Sequence, residues 1–211
     1  MEQRNITYVP PKGFTTLTAV EPQFAEPGRI IYPLDQPLQK TPDWLGSSGD
    51  PVLDSMEVND ALRLADKRED KLPNYPKRQQ IWPDEDSAWL YERCGDLILT
   101  ANEALGLALA GFIEPITILT YYEGDELTMH VDYSGWERVK LALVIGMNDP
   151  KCWTGGELEF LLPAERGLHP PRVLQKGEAI FYPGWVPHRV TPVTSGIRRT
   201  LIAFAYGPRY T

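Results

Sequence analysis

A mostly β fold with flanking helices, with an antiparallel sandwich or jelly roll at its core, is what this sequence predicts. Two observations carry the prediction. From Ile113 onward the chain breaks into short apolar or alternating runs separated by turn residues. Before that point only two stretches have helical periodicity, and the remainder is punctuated by proline.

In chain order, residues 1–85 read as a proline-rich N-terminal extension packing on the core. Pro10-Pro11, Pro22, Pro27, Pro33, Pro37, Pro42, Pro51, Pro73, Pro76 and Pro83 each remove a backbone donor and fix φ, so long regular elements cannot run across them. Extended segments and turns are expected, with one short helix near Met56–Lys67. The charged run Asp66-Lys67-Arg68-Glu69-Asp70-Lys71 reads as a solvated loop. The pattern leaves open whether this extension covers the core and touches substrate or stays partly disordered. Residues 86–211 read as a helix followed by the β core, the whole forming one structural domain. The helix is expected from about Asp84 to Ala110. Asp84, Asp86 and Ser87 offer N-caps, and Trp89, Leu90, Cys94, Leu97, Ile98, Ala101 and Leu105 recur at spacings of three and four. Such a helix would lie against the outside of a sheet.

Strands are expected at Ile116–Tyr122, Glu126–Asp132, Val139–Gly146, Glu157–Leu162, Ala179–Pro183, His188–Val193 and Arg198–Ala205. Turns are expected at Glu123-Gly124-Asp125, Asn148-Asp149-Pro150, Thr154-Gly155-Gly156 and Thr194-Ser195-Gly196.

Bulk properties narrow the function. A net charge of -8 and a pI near 5.0 argue against non-specific binding to nucleic acid or an anionic membrane, which needs a basic surface. Cys94 and Cys152 fit no metal-type spacing and are expected as free thiols of a reducing compartment. The N-terminus has no apolar h-region, and the longest nearly apolar stretch, Leu105 to Ile113, is too short to span a bilayer. Cytoplasmic location is the resulting expectation.

Two of the three histidines fall in one pattern: His130-Val131-Asp132, then His188, then Arg198. Within a strand, residues two apart share a face, so His130 and Asp132 project together. Two imidazoles and a carboxylate on one face of a metal are the ligand set of non-haem Fe(II) oxygenases, with open positions for cosubstrate and O2. Singly these signals are weak, since HxD is common and His188 alone could be a core histidine. Jointly, with Arg198 in a strand pattern, they point to a metal site. His169 sits among glycine and prolines and reads as a loop residue. Arg198 and Arg199 are adjacent, so only one can face inward. Alternation groups Arg198 with Thr200, Ile202 and Phe204, and periodicity alone does not choose between the faces.

The segment His188-Arg189-Val190-Thr191-Pro192-Val193-Thr194-Ser195-Gly196-Ile197-Arg198 resembles the second half of the motif of 2-oxoglutarate- and Fe(II)-dependent dioxygenases, and most closely their prolyl-4-hydroxylase-like branch. Upstream, Tyr121, Gly124, Leu127, His130 and Asp132 are similar to that branch's Y-x-x-G-x-x-Y-x-x-H-x-D. Gly155-Gly156-Glu157-Leu158 and Phe181-Tyr182-Pro183-Gly184-Trp185 resemble its G-G-E-L strand and F-x-P run. The resemblance covers about Ile116 to Phe204. It implies a double-stranded β-helix (jelly roll, cupin-like) core with N-terminal helices packed outside. It implies Fe(II) on His130, Asp132 and His188, with Arg198 on the distal carboxylate of 2-oxoglutarate, and O2 as the other cosubstrate, ascorbate serving as an accessory reductant. Leu127 departs from the family, which often has tyrosine there. A leucine donates no hydrogen bond, so Tyr121, Tyr122 or Thr200 would have to supply the missing donor.

The resemblance implies hydroxylation of an unactivated C–H in an amino acid, a peptidyl residue or a small metabolite, with 2-oxoglutarate decarboxylated to succinate and CO2. Asp132 fills a coordination position that halide-transferring relatives leave open, so halogenation is disfavoured. Desaturation and cyclisation stay open. Substrate contacts are expected from the N-terminal segment, from Tyr133 and Trp136 just after the ligand pair, and from Trp185. A small-molecule or peptide partner is expected, and no nucleic acid or membrane. The alternatives are a cupin-like sensor or binding module without turnover and, more weakly, a zinc hydrolase.

Overall fold

The computed structural model describes residues 32–33, 46–65, 73–133, 138–162, 167–168 and 171–208. Two α-helices and fourteen strands are present among them: β1 (Tyr32–Pro33), β2 (Gly46–Pro51), α1 (Ser55–Leu64), β3 (Lys77–Ile81), α2 (Ala88–Leu105), β4 (Gly111–Phe112), β5 (Ile116–Tyr121), β6 (Leu127–His130), β7 (Val139–Gly146), β8 (Trp153–Gly155), β9 (Leu158–Leu162), β10 (Gly167–Leu168), β11 (Glu178–Pro183), β12 (His188–Val190), β13 (Val193–Gly196) and β14 (Arg198–Tyr206).

Both helices have local reasons for their limits. Asp54 caps α1 by accepting from the backbone N–H of Met56 at 2.7 Å and Glu57 at 2.9 Å, and Glu57 returns a carboxylate to the Asp54 N–H at 2.8 Å. Helix α2 stops five residues short of the expected Ala110. Gly106 takes the left-handed conformation and donates to the Asn102 carbonyl at 2.7 Å, while the Asn102 side chain bonds both backbone groups of Leu107. The apolar spacing continues past Leu105, but the cap ends the helix. Gly95 is buried inside α2 without interrupting it.

The strands form an eight-stranded sheet with path order β1-β4-β14-β7-β11-β2, in which β5 pairs with β14 and with β3. A four-stranded sheet runs β10-β9-β12-β6, and β13 pairs with β8. Pairing between named strands is antiparallel throughout. The architecture is the expected mostly β jelly roll. Alternation sends residues of the large sheet to two apolar clusters. Ile116, Ile118, Leu141, Leu143, Ile145, Leu201 and Ala203 pack with Val58 and Ala61 of α1 and with Leu90, Cys94 and Ile98 of α2. Leu119, Tyr121, Ala142, Val144, Ile180, Tyr182 and Ile202 turn the other way and pack with Leu158, Phe160 and Val190 of the smaller sheet. With both faces covered, β5, β7 and most of β14 are buried residue after residue, which is why their sequences read as apolar runs.

Three expectations are corrected. The Thr194-Ser195-Gly196 and Thr154-Gly155-Gly156 turns lie partly in strands, since Val193 pairs with Gly155 and Ser195 with Thr154. Glycines kept these runs from reading as strands, yet a two-stranded ribbon twists enough to hold glycine at positive φ. The run expected as one strand from His188 to Val193 divides into β12 and β13 around Thr191-Pro192. The segment 1–85 carries more regular structure than its prolines indicated: β2 pairs with β11 and β3 with β5. Both are at edges of the sheet, where neighbouring prolines are tolerated. The charged run Asp66–Lys71 and His169 lie outside the described residues. Both cysteines are free thiols, Cys94 buried and Cys152 exposed. No helix among the described residues is long and apolar enough to cross a membrane.

Candidate metal centre

Strand pairing places the two histidines together. In the smaller sheet β6 and β12 run antiparallel with His130 directly opposite His188. Their ring centroids are 4.3 Å apart. Strand β6 ends at His130, so Asp132 approaches from two residues past the strand rather than from within it. Its carboxylate lies between the rings, with Oδ1 3.6 Å from His130 Nε2 and Oδ2 3.7 Å from His188 Nε2. One donor atom from each of the three residues falls within 4.8 Å of the others.

The chemistry of this donor set fits a divalent cation. His130 Nδ1 lies 2.7 Å from the Thr128 carbonyl oxygen, and His188 Nδ1 lies 3.0 Å from that of Val186. A carbonyl only accepts, so each Nδ1 carries the proton and each Nε2 turns its lone pair toward the cluster. Asp132 Oδ2 is buried and has no hydrogen-bond partner among the described residues. A buried orphan carboxylate oxygen is costly, and a cation would satisfy it. The imidazoles are pulled in opposite directions. Asp132 raises the pKa of half-buried His130, whereas burial lowers that of His188.

The site opens into a cavity of about 400 Å³ whose lining includes His130, Asp132, His188, Tyr121, Arg198 and Thr200. Arg198 pairs with Tyr121 across β14 and β5, and Thr200 with Leu119, so all four side chains share the inner face. This settles the ambiguity between the adjacent arginines: Arg198 is 4% exposed and turned inward with Thr200. Its guanidinium carbon sits 4.7 Å from the Tyr121 ring centroid and 5.6 Å from that of Trp153. Burial lowers its pKa, and its Nη1 has no hydrogen-bond partner among the described residues. Burial pushes the Tyr121 phenol up to about 12, with the Arg198 charge opposing the rise. A buried, incompletely satisfied guanidinium on a cavity wall could receive a carboxylate in fork geometry. Leu127 lines the same cavity and leaves it apolar where the related motif has a hydroxyl.

The expected substrate residues are placed differently. Tyr133 and Trp185 do not line the cavity. The Tyr133 N–H bonds the Gly184 carbonyl at 2.8 Å, and Trp185 packs on the inner apolar cluster. Trp136 lies outside the described residues. Four polar lining residues escaped the sequence reading: Tyr182, Tyr75, Arg78 and Glu114. Tyr182 had a signal, since alternation along β11 groups it with inward Ile180. Its hydroxyl lies 3.2 Å from His188 Nε2, and burial together with the Asp132 charge holds its pKa well above the ordinary tyrosine value. Arg78 had none, because β3 itself was not foreseen.

Comparison with known proteins agrees with this geometry. Residues 116–206 match the 2OG-Fe(II) oxygenase superfamily. A PKHD-type hydroxylase of Psychrobacter sp. (strain PRwf-1) is 31% identical over 126 residues, covering 54% of this chain and 48% of that protein. The PKHD-type hydroxylase YbiX of Shigella boydii is 34% identical over 121 residues, covering 52% of each. The chain thus spans about half the length of the curated relatives it matches. Among solved structures, a Pseudomonas putida prolyl-4-hydroxylase superposes with a TM-score of 0.62 at 21% identity, over 78% of this chain and 93% of that one. A Trichoplax adhaerens prolyl hydroxylase, solved with a hypoxia inducible factor peptide fragment, gives 0.59 at 15% identity, over 77% and 83%. These two likenesses concern the fold. The match to the 2OG-Fe(II) oxygenase superfamily thus spans residues 116–206, the part of the chain that carries the cluster and Arg198, and prolyl hydroxylases are among the solved structures that share its fold.

Proposed function

We propose that this chain is an Fe(II)- and 2-oxoglutarate-dependent dioxygenase that hydroxylates an unactivated C–H of an amino acid, a peptidyl residue or a small metabolite. The observation that carries the reading is the conjunction, in one cavity, of the His130–Asp132–His188 cluster and the buried Arg198 guanidinium. His130, Asp132 and His188 would hold the Fe(II). Arg198 receives the distal carboxylate of 2-oxoglutarate, with Tyr121 and Thr200 beside it in place of the donor that Leu127 lacks. When bound, Fe(II), 2-oxoglutarate and O2 together supply the oxidising chemistry: one oxygen atom enters succinate as CO2 leaves, and the other enters the substrate C–H as hydroxyl.

The chain's own part is positional. The Thr128 and Val186 carbonyls fix both imidazole tautomers. Leu119, Leu127, Val144, Leu158 and Val190 give the cavity an apolar wall that keeps water from the reacting centre. Tyr182, neutral because its pKa is raised, presents an O–H beside the ligands. The described parts of residues 1–85 add β2 and β3 to the large sheet and pack α1 on its outer apolar cluster. The relatives' names point to a hydroxylase, and the free thiols agree with a reducing, cytoplasmic setting.

The test is succinate formation from 2-oxoglutarate by the purified chain. It should require Fe(II) and O2 and disappear in His130→Ala and Asp132→Ala. Stoichiometric iron on a folded protein that forms no succinate with any amino acid, peptide or metabolite offered would replace this reading with that of a binding module without turnover.

A further inference from the structure

The cavity contains a second guanidinium that the chemistry above does not use. Arg78 lies on β3, the strand that the N-terminal segment adds beside β5. It pairs with Leu119, which on its other side pairs with Thr200. Residues directly opposite one another in an antiparallel sheet share a face, so Arg78 stands on the cavity face, in the row next to Tyr121 and Arg198. Two strand spacings, roughly 10 Å, separate β3 from β14. The two arginines therefore serve different parts of the cavity. Arg198 is deep and buried. Arg78 has about a third of its side chain exposed, and its Nη2 meets Glu114 Oε1 at 3.4 Å, with Glu114 also a third exposed.

We propose that Arg78 and Glu114 together receive the charged head group of a free α-amino acid, which makes the substrate a free amino acid rather than a residue within a peptide. This proposal rests on the dioxygenase reading above. Arg78 takes the α-carboxylate in fork geometry and Glu114 takes the α-ammonium. A peptide interior offers neither charge, whereas a zwitterion offers both at the separation of one Cα. The Arg78–Glu114 contact is long and a third exposed, so loosening it costs little. Arg78 also stands on a firm support, with Glu114 in the short bend between β4 and β5. Five cross-strand pairs hold β3 in register, and the buried Tyr91 hydroxyl donates to the Ile81 carbonyl at 2.7 Å while accepting from the Ile116 N–H at 3.1 Å, tying β3 to β5. Recognition groups on a fixed strand specify better than groups on a loop. The cavity volume of about 400 Å³ is near the small end of ligand sites and suits two small molecules, one of them the dicarboxylate on Arg198.

The experiment is anaerobic ligand-observed NMR on the full chain loaded with Zn(II), a diamagnetic stand-in, and 2-oxoglutarate. The probes are the free L-amino acids, each beside its N-acetyl amide. At least one free amino acid should bind, and its blocked amide should bind about tenfold more weakly or worse, as expected for loss of charged hydrogen bonds. Arg78→Gln and Glu114→Gln should each weaken the free amino acid by about the same factor. Affinity for 2-oxoglutarate should stay within about twofold and the melting temperature should hold, since exposed pairs add little. Blocked amides that bind as well as the free amino acid, or an Arg78→Gln protein that loses 2-oxoglutarate rather than amino acid, would overturn the proposal. Wild-type protein that binds 2-oxoglutarate but no free amino acid would also overturn it and leave the dioxygenase reading intact. Failure to bind 2-oxoglutarate at all would strike that underlying reading instead.

Discussion

Arg198→Met separates a receptor from a structural residue because the two roles predict opposite signs. Arg198 is 4% exposed, lies against Tyr121 and Trp153, and leaves Nη1 without a hydrogen-bond partner among the described residues. Burial lowers its pKa, so the folded protein disfavours the charge it carries. Methionine keeps most of the volume and adds no charge. Replacement of buried ionic groups by well-packed apolar ones is often neutral or stabilising by about 1–4 kcal/mol. Because Arg198 retains its aromatic contacts, the lower part of that range applies, about 0–2 kcal/mol of gain in the ligand-free protein. For a chain of this length each 1 kcal/mol moves the melting temperature by about 2–4 °C. Affinity for 2-oxoglutarate should fall at the same time. Removing one partner of a buried charge pair costs about 2–5 kcal/mol, or roughly 30-fold to over 1,000-fold in Kd. Thermal unfolding without ligand and anaerobic calorimetric titration with 2-oxoglutarate, in the presence of Fe(II), measure the two effects. A variant that loses more than about 2 kcal/mol of ligand-free stability yet binds 2-oxoglutarate normally would refute the reasoning, because only a structural ion behaves that way.

Tyr182→Phe keeps the packing against Phe160 at 5.0 Å but removes the hydroxyl beside His188 Nε2. That hydroxyl competes for the lone pair a metal would take, so metal affinity, read by competition with a chromogenic chelator, should hold or rise modestly; a clear drop would make Tyr182 an outer-shell support of the site instead. The two thiols should differ in reactivity. Burial pushes Cys94 up to about 12, so at pH 8 it stays a thiol and is shielded, and a disulfide reagent should titrate one cysteine, the exposed Cys152, in the native protein and two after denaturation. Rapid reaction of both thiols in native protein would contradict the packing of α2. Gly177→Ala should destabilise by about 1–3 kcal/mol from its left-handed conformation alone. Gly177 has φ of 82°, and a Cβ there would also run into the Leu53 carbonyl oxygen. Urea unfolding measures the loss, and a wild-type midpoint would contradict the turn that leads into β11, where the Gly177 carbonyl accepts from the Val52 N–H at 2.8 Å.

Much of the fold was legible because its signals are local. Apolar runs such as Ile116–Tyr121 and Val139–Gly146 are buried on both faces, and no turn chemistry competes with them. The spacing of His130, Asp132 and His188 was legible too, although the reason they meet was not. It lies in the opposition of His130 and His188 across β6 and β12, a register set by sheet topology. The tautomers of both histidines depend on carbonyls two residues away, which no side-chain pattern reports. Strand β3 was hidden for a different reason. Its sequence, Lys77-Arg78-Gln79-Gln80-Ile81, is polar and flanked by prolines. Such a strand forms because β5 offers an open edge, a tertiary cause that overrides propensity. Arg78 was hidden with it. An aromatic in a turn near the ligands reads equally as a pocket wall and as an anchor, and Trp185 packs on the inner apolar cluster.

The account stands on one claim, that the three-residue cluster and Arg198 form a single site for a metal and a keto dicarboxylate. Anaerobic titration of the metal-free protein with Fe(II) and then 2-oxoglutarate tests it directly, through the visible charge-transfer band that the keto acid chelate of an open-site Fe(II) gives. The account predicts a band in wild type, none in His130→Ala, and a band in Arg198→Met that needs at least about 30-fold more 2-oxoglutarate. Iron bound at one equivalent with no band at any 2-oxoglutarate concentration would contradict it.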